Sequence, residues 1–173
     1  MSAKQKLQLK LRPWEEGDLQ LLERLLGNPD MTRYLGGPET PGKIRDRHDK
    51  YVAAKETDHT RVFVLATSPD STSVGSVVYW ERDQQGGPVW EVGWATLPEF
   101  QGQGIASRAT QMAIDKARAE KKHRFMYAFP SVDNAASNAI CRKLGFELEK
   151  EEEFEYPKGH WMRCNNWRLD LFG

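Results

Sequence analysis

The segment that most constrains the fold is residues 97–107, LPEFQGQGIAS, where two glycines separate a strand-like run from a helix-like run. Residues 89–96, just upstream, are rich in Val and Trp, as β-strands are. Downstream, Ile105, Ala109 and Ala113 recur at helical spacing. A glycine-rich turn that opens a helix presents free backbone N–H groups and the positive end of the helix dipole. The segment therefore predicts a strand, a phosphate-binding turn and a helix.

Two common phosphate-binding motifs do not fit this turn. A dinucleotide-binding fold has its glycines after the first strand and a ribose-binding carboxylate at the end of the next strand. Here three strand-like segments precede the turn, and the strand after it ends at Phe129 and Pro130. A P-loop requires Lys after its last glycine, where this chain has Ile105. A nucleotide-binding regulator therefore ranks last among the functions considered.

Length and charge narrow the class of protein. The 173 residues fit one domain, residues 1–173, and 25 basic residues balance 25 acidic ones. A balanced charge gives no general affinity for nucleic acid or for an anionic membrane. No stretch approaches the roughly 20 apolar residues of a membrane span, and the start of the chain lacks the apolar core of a signal peptide. We expect a cytoplasmic protein with neither a nucleic-acid nor a membrane partner.

The cysteines and histidines predict no metal site. Cys141 and Cys164 have no CxxC spacing, and the four histidines form no pair spaced three or four residues apart. A reducing compartment does not favour a disulfide between the two cysteines. Each cysteine is expected to be a small buried side chain.

The first half of the chain predicts strands and two helices. Leu7, Leu9 and Leu11 alternate with polar residues, as in a half-buried strand that ends near Pro13. Asp18 is placed to cap a leucine-rich helix. A charged segment from 41 to 56 is typical of a solvated helix. Three strands with short turns between them then predict an antiparallel meander.

The second half predicts a parallel pair of strands and a hairpin. A strand, the glycine-rich turn, a helix and another strand form a βαβ unit, whose strands are parallel. In the helix that follows, Ala136, Ile140 and Leu144 are expected to form the buried face. The chain then ends in a hairpin turning near residues 157–159. Together the elements predict a mixed α+β fold.

Several spaced motifs make this sequence similar to the GNAT superfamily of acetyl-CoA-dependent N-acetyltransferases. The superfamily motif of Gln or Arg, two residues, Gly, one residue, and Gly or Ala matches Gln101, Gly104 and Ala106. Pro98 precedes it, and Asn134 opens a helix that ends in Leu-Gly-Phe, as in the superfamily. The likeness is greatest to the branch with ribosomal-protein N-terminal acetyltransferases (RimJ/RimL-type). It implies a mostly antiparallel mixed sheet of about six to seven strands flanked by about four helices, and leaves a homodimer open.

The resemblance implies a binding site for acetyl-CoA as co-substrate. Backbone groups at the end of the strand would bind the pantetheine arm, N–H groups of the turn would bind the pyrophosphate, and Asn134 would contact the pantetheine from the other side. Within the turn, Gln103 and Ile105 are expected to point outward. The implied residues are Trp94, Ala95, Thr96, Gln101, Gly102, Gln103, Gly104, Ile105, Ala106, Ser107 and Asn134. The alternative is that the glycines serve only close packing of helix on strand.

Glu91 is the predicted catalytic base. It is the carboxylate in an otherwise apolar strand, five residues before Thr96, where the superfamily often has its base. Partial burial would raise its pKa towards the range useful for taking a proton from an amine. The alternative is a glutamate on the solvent face or one paired with an arginine such as Arg82.

Cys141 is the predicted general acid. Many relatives have a tyrosine at this position, five residues before the Phe of Leu-Gly-Phe, and this chain departs from that pattern. A thiol can protonate or donate to the leaving thiolate, but a buried, inert cysteine is an equal alternative. Tyr127, Ser137 and Asn138 are further candidates for the acid.

The acceptor is expected to be an amine, either a small molecule or a protein N-terminus. Five glutamates at odd positions from Glu147 to Glu155 would share one face of an unbroken strand and attract a polyamine or another base. The alternative is a solvated edge that resists aggregation. The chief rival function is a non-catalytic acyl-CoA-binding or sensor module, because Cys141 replaces the tyrosine.

Overall fold

The computed structural model describes residues 7–173 and contains one mixed sheet flanked by helices. In chain order, the elements are strand β1 (Gln8–Pro13), helices α1 (Leu19–Leu26) and α2 (Pro41–Ala53), strands β2 (Thr60–Ser68), β3 (Ser73–Gln84) and β4 (Gly87–Thr96), helix α3 (Ile105–Glu120), strand β5 (Phe125–Ala128), helix α4 (Ala135–Lys143), and strands β6 (Glu147–Glu155) and β7 (Trp161–Asp170). The predicted α+β class is confirmed.

The seven strands follow the order β1-β2-β3-β4-β5-β7-β6. The meander β2 to β4 is antiparallel, as predicted, and the predicted parallel pair is β4 with β5. Its ladder has two register pairs, Trp90 with Met126 and Glu91 with Tyr127. Beyond Glu91, β4 runs on to Thr96 while β5 ends at Ala128. The two strands therefore open into a fork, which we call the β4–β5 fork.

Two apolar clusters cover the two faces of the sheet. One contains Tyr79 and Trp90 together with the buried side of α3. The other contains Val78, Trp14 and the leucines of α1. Because neighbouring residues of a strand point to opposite faces, Val78 and Tyr79 mark these as different faces. The helix α3 thus packs on one face and α1 with α2 on the other.

The cap predicted for α1 is formed differently. Asp18 occupies the N-cap position, but its carboxylate makes no cap hydrogen bond. Instead it accepts from Arg12 at 2.8 and 2.7 Å and from the backbone N–H of Glu15 at 2.8 Å. The sequence prediction was wrong about this side chain because Arg12 comes from β1, and its approach depends on the tertiary fold.

The glutamates of β6 do not share one face. Glu147 pairs with Arg168 and Glu151 pairs with Asn165, with a register shift between Leu148 and Lys150. Directly paired residues share a face, whereas positions 165 and 168 of one strand point to opposite faces. The bulge therefore divides the predicted row of five carboxylates between the two sides of the hairpin.

The buried side of α4 also differs from the prediction. Asn138 and Cys141 are buried, whereas Ala136 is exposed. The Asn138 amide donates to the carbonyls of Ser131 and Asn134 at 2.9 and 2.8 Å. Its oxygen accepts from the Trp167 indole at 2.8 Å and from Asn165 at 2.9 Å. Two of these four hydrogen bonds thus join α4 to β7, and the other two hold the loop and the residue that precede α4.

Candidate active site

The glycine-rich turn forms an open cradle at the start of α3. Gly102 and Gly104 both have φ of +73°, in the left-handed region that favours glycine. A Cβ built on either residue meets nothing within 4 Å. The alternative that these glycines serve close packing of helix on strand is therefore not supported. The turn requires glycine for its backbone conformation and leaves open space beside that backbone.

The first turn of α3 is not capped by a side chain. Its N-cap residue is Gly104, which has none. Helix N–H groups at such an end favour an anionic ligand.

The residues of the turn and of the first turn of α3 differ in exposure. Ala106 is partly exposed and Ser107 is buried. Ile105 is buried in the core, so the expectation that it points outward was wrong, whereas Gln103 is exposed as expected. Ile105 is buried because it is the first residue of the apolar stripe of α3.

The end of β4 contributes one free strand edge to the fork. Trp94, Ala95 and Thr96 pair with β3 on one side. Within residues 7–173, no strand pairs with these three residues on the other side. The hydroxyl oxygen of Thr96 is buried and makes no hydrogen bond among the described residues. An extended ligand with amide groups can therefore add to this edge as a strand does.

Gln101 and Asn134 both have structural contacts. The amide of Gln101 donates to the carbonyl of Thr96 at 3.0 Å and ties the turn to the end of β4. The side-chain oxygen of Asn134 accepts from the backbone N–H of Ser137 at 3.1 Å and caps α4. Gln101 thus fixes the turn at the end of β4, and Asn134 fixes the start of α4.

Glu91 lies at the base of the fork, on the face of the sheet that carries α1 and α2. Its side chain is 14% exposed, and one carboxylate oxygen accepts from Arg82 at 2.9 Å. Burial raises the pKa of Glu91, and the Arg82 cation opposes that rise. Both sequence-based interpretations thus have a structural counterpart, since the carboxylate is desolvated and also paired with Arg82.

Cys141 is fully buried within the cluster that contains Trp90 and α3. Burial raises the pKa of its thiol to about 12. The thiol is therefore protonated at neutral pH but has no exposed surface with which to meet a ligand. This burial supports the packing alternative more than the acid.

Two of the other three candidates for the acid, Tyr127 and Asn138, are engaged elsewhere. The Tyr127 hydroxyl donates to Glu149 at 3.4 Å, on the β6 side, although Tyr127 is the register partner of Glu91. Asn138 makes the four hydrogen bonds described above, of which those with Asn165 and Trp167 hold α4 on β7. Neither side chain is free to protonate a leaving group in the fork.

The sequence analysis named Arg82 as a possible partner of Glu91, but it missed that this cation lies on two aromatic rings. The Arg82 guanidinium carbon lies 4.5 Å from the ring centre of Phe129 and 5.4 Å from that of Phe154. Phe129 in turn stacks on Tyr127 with centroids 5.7 Å apart. The alternation of β3 shows that Arg82 and Trp80 share a face, but it does not show which rings of distant strands lie there.

No group of three His, Cys, Asp or Glu side chains that could hold a metal ion was found among residues 7–173. Within the same residues, no helix is both long and apolar enough to span a membrane.

Comparisons with known proteins agree with this geometry. A family model described as acetyltransferase (GNAT) domain matches residues 8–147. The spermidine N(1)-acetyltransferase of Escherichia coli K12 is 28% identical over 150 residues, which cover 86% of this chain and 77% of that protein.

Two solved structures have the same fold. The spermidine N-acetyltransferase of Vibrio cholerae, in complex with CoA and spermine, superposes with a TM-score of 0.80 at 21% identity and covers 95% of this chain and 96% of its own. A Salmonella typhimurium acetyltransferase that modifies the N-terminal serine of ribosomal protein L7/L12 superposes with a TM-score of 0.79 at 22% identity. The match covers 94% of each chain.

The chain belongs to the GNAT acetyltransferase family, and the resemblance found in the sequence is confirmed. It is an acetyl-CoA-dependent N-acetyltransferase that acts on a primary amine, with acetyl-CoA as co-substrate. The predicted GNAT fold is confirmed as well, with seven strands and four α-helices among residues 7–173.

Proposed function

We propose that the acceptor of this enzyme is a small polyamine and that Glu91 is its general base. The observation that supports the acceptor is the charge of the hairpin from Glu147 to Asp170. This hairpin has seven acidic and four basic residues, a net charge of −3, whereas the whole chain is neutral. A negative surface concentrates cationic substrates near it. The spermidine acetyltransferase among the relatives supports the same class of acceptor.

The fork supports the proposed placement of acetyl-CoA. The free edge formed by Trp94, Ala95 and Thr96 would bind the amide groups of the pantetheine arm, and the unpaired Thr96 hydroxyl adds a polar group there. The uncapped N–H groups from Gly102 to Ser107 would bind the pyrophosphate. Gln101 holds the turn against Thr96. Asn134 uses its side-chain oxygen to cap α4 and would contact the pantetheine through its NH₂ group. The residues present therefore fit acetyl-CoA.

Glu91 supplies what the chemistry requires of the protein. The acceptor nitrogen must be neutral before it attacks the acetyl carbonyl carbon, and the carbon–sulfur bond of the thioester then breaks. The Glu91 carboxylate accepts the proton that the nitrogen loses, and the CoA thiolate takes a proton from solvent. The buried carboxylate has a raised pKa, which makes it a better base than an exposed one.

A panel of acceptors tests the proposed substrate class. Release of free thiol from acetyl-CoA is followed with spermidine, with spermine, with a peptide that has a free serine N-terminus, and with a peptide blocked at its N-terminus that contains lysine. We expect kcat/KM for a polyamine to exceed that for either peptide at least about tenfold. Preference for the serine peptide would instead favour the protein N-terminus, which the Salmonella neighbour modifies. If no acceptor of the panel leads to thiol release, the result would favour the alternative of a non-catalytic acyl-CoA-binding module.

We also propose that residues 1–173 form one domain in the cytoplasm. The sheet includes both β1 and β7, near opposite ends of the described chain, which supports one domain. Cys141 and Cys164 are free and buried, as suits a reducing compartment. A homodimer and the expected lack of nucleic-acid and membrane partners stay predictions, which light scattering and binding assays test.

A further inference from the structure

Arg82 connects three parts of the sheet beside the proposed base. It lies on β3, two residues after Trp80, the register partner of Glu91, and therefore shares a face with Glu91. One of its terminal N–H groups donates to the Glu91 carboxylate at 2.9 Å. The same guanidinium covers Phe129, which follows β5, and Phe154 of β6. The side chain thus crosses β4 and reaches the acidic hairpin.

Two kinds of contact fix the position of this guanidinium. A guanidinium over an aromatic face is attracted by the negative ring face, and more strongly where water is partly excluded. The Phe129 and Phe154 rings also contact each other, with centroids 5.3 Å apart. Because the plane of the guanidinium is rigid, its stacking on these rings limits the directions in which its N–H groups can point. One of those directions leads to Glu91.

We propose that Arg82 is a positioning residue for the reaction: stacked on Phe129 and Phe154, it holds the Glu91 carboxylate in one orientation and keeps it ionised in its buried site. This inference rests on the proposed role of Glu91 as the base. It assigns Arg82 no contact with substrate. Lysine does not replace arginine in this role, since it has neither the planar fork nor the stacking surface.

The other titratable groups around the pair do not compensate for Arg82. Tyr127 is the β5 register partner of Glu91, and its hydroxyl is bound to Glu149. The Cys164 thiol of β7 has its pKa raised by burial and by the charge of Glu91. Glu152 of β6 is a second carboxylate near Arg82. Arg168 of β7 is the register partner of Tyr127, but its guanidinium pairs with Glu149 at 3.2 Å. Without Arg82, Glu91 therefore loses the cation that is bonded to it, and burial then disfavours its ionised form.

The pH profile of kcat separates positioning from mere structural support. Activity falls at acidic pH as the base becomes protonated, so loss of the cation must move this acid limb to higher pH. For Arg82→Gln we expect a shift of about one pH unit or more, which lowers kcat about tenfold at pH values below the limb. Arg82→Lys keeps the charge but not the stacking, so kcat falls while the limb stays within about half a unit of wild type.

A matched control is Arg124→Gln, which removes another arginine that pairs with a carboxylate, Asp170 at 2.8 Å, and lies over a ring, Phe125. We expect it to leave the limb and kcat unchanged. The double variant Arg82→Gln/Glu91→Gln must show the same profile as Glu91→Gln alone. If the acid limbs of wild type and Arg82→Gln lie at the same pH, and only kcat or the melting temperature is lowered, Arg82 gives structural support alone. That result would overturn the inference.

A direct titration distinguishes this failure from failure of the proposed base. The carboxyl carbon of Glu91 is followed by ¹³C NMR in protein labelled at glutamate, and its signal is assigned by its absence in Glu91→Gln. An upward shift of the midpoint in Arg82→Gln shows that Arg82 keeps Glu91 ionised. If Glu91→Gln is nevertheless fully active, the base assignment is what fails, and the role of Arg82 in the reaction fails with it. An unchanged midpoint contradicts the inference, whatever the activity of Glu91→Gln.

Discussion

Glu91 on β4 and Tyr127 on β5 are register partners, and the ladder between these two parallel strands ends with them. The carboxylate therefore lies where the sheet opens, at the base of the fork that fits acetyl-CoA. Arg82 reaches the same carboxylate across the sheet at 2.9 Å. A strand carboxylate thus combines burial, a fixed partner and proximity to the proposed site of acetyl transfer.

Loss of Gly104 should abolish acetyl-CoA binding. Valine at φ +73° is strained, and its side chain enters the space beside the turn. For wild type, ligand at 100 times its dissociation constant adds about 2.7 kcal/mol, and the melting temperature rises by roughly 2–4 °C per kcal/mol. We expect no rise for Gly104→Val.

Gly86 provides the control, because it also has a positive φ with open space around it but lies in the β3–β4 turn. Gly86→Val should retain the acetyl-CoA shift. A full shift with Gly104→Val, or an equal shift of wild type with NAD, would contradict the proposed site.

Replacement of Glu91 by glutamine should slow turnover without weakening acetyl-CoA binding. Loss of a general base lowers kcat by about 10²–10⁴, and the acid limb of the pH profile should disappear with it. Glu81→Gln is the control, since this β3 carboxylate pairs with His123 at 2.7 Å on the other face. Normal turnover by Glu91→Gln at both pH 7 and pH 9 would remove Glu91 from the mechanism.

Replacement of Cys141 by alanine should affect stability more than activity. The thiol is fully buried, so alanine leaves a small void and lowers the free energy of unfolding by about 0.5–3 kcal/mol. Turnover measured well below the melting temperature should match wild type, for Cys141→Ser as well. The opposite result, slow turnover by alanine with partial rescue by serine, would restore Cys141 as the acid.

Asn138→Leu should destabilise the protein strongly despite its similar side-chain size. The change removes four hydrogen bonds and leaves the Trp167 indole N–H without its partner. A buried polar group left unsatisfied costs about 1–3 kcal/mol, so we expect a loss of at least about 2 kcal/mol in chemical denaturation. Ala139→Leu, on the exposed side of α4, should change stability little. Equal stability of the two variants would show that Asn138 does not hold α4.

Asp18 should make stability depend on pH in the acidic range. Burial acts to raise the pKa of its carboxyl, but hydrogen bonds from Arg12 and the Glu15 N–H together hold it below the ordinary value of 3.8. A carboxyl with a lowered folded pKa stabilises above its unfolded pKa, and that stability is lost as the pH falls through the folded value. Asp18→Asn should therefore lower the free energy of unfolding by about 1.5–3 kcal/mol at pH 7.

Denaturation at several pH values tests this prediction. The difference between wild type and Asp18→Asn should shrink as the pH falls below about 4. Asp30→Asn is the control, because Asp30 is exposed and lies 3.7 Å from its partner Arg33. A difference between wild type and Asp18→Asn that is constant from pH 7 to pH 3 would show that the carboxylate charge does not matter.

Local patterns predicted most of the architecture. The alternation around Leu9 predicted β1, and the leucine stripe predicted α1, because side-chain periodicity records which face of an element is buried. The glycines at 102 and 104 predicted a turn before α3, because glycine adopts backbone conformations that other residues rarely adopt. Each of these patterns lies within one element or one turn.

The predictions that failed required knowledge of a distant partner. Asp18 does not cap α1 because Arg12 of β1 reaches it. The glutamates of β6 do not share a face because a bulge against β7 shifts their register. In α4 the polar Asn138 is buried because the Trp167 indole binds it.

The sequence by itself determined the elements, the glycine-rich turn and the family, since these depend on residue types at short and regular spacing. Only the tertiary structure decided the surroundings of the site residues. Glu91 is mostly buried and paired with Arg82, Arg82 lies on Phe129 and Phe154, and Cys141 is enclosed in the core. These contacts join strands far apart in the chain, and their energies depend on burial and on distances of a few ångströms. Residue spacing along one chain does not contain that information.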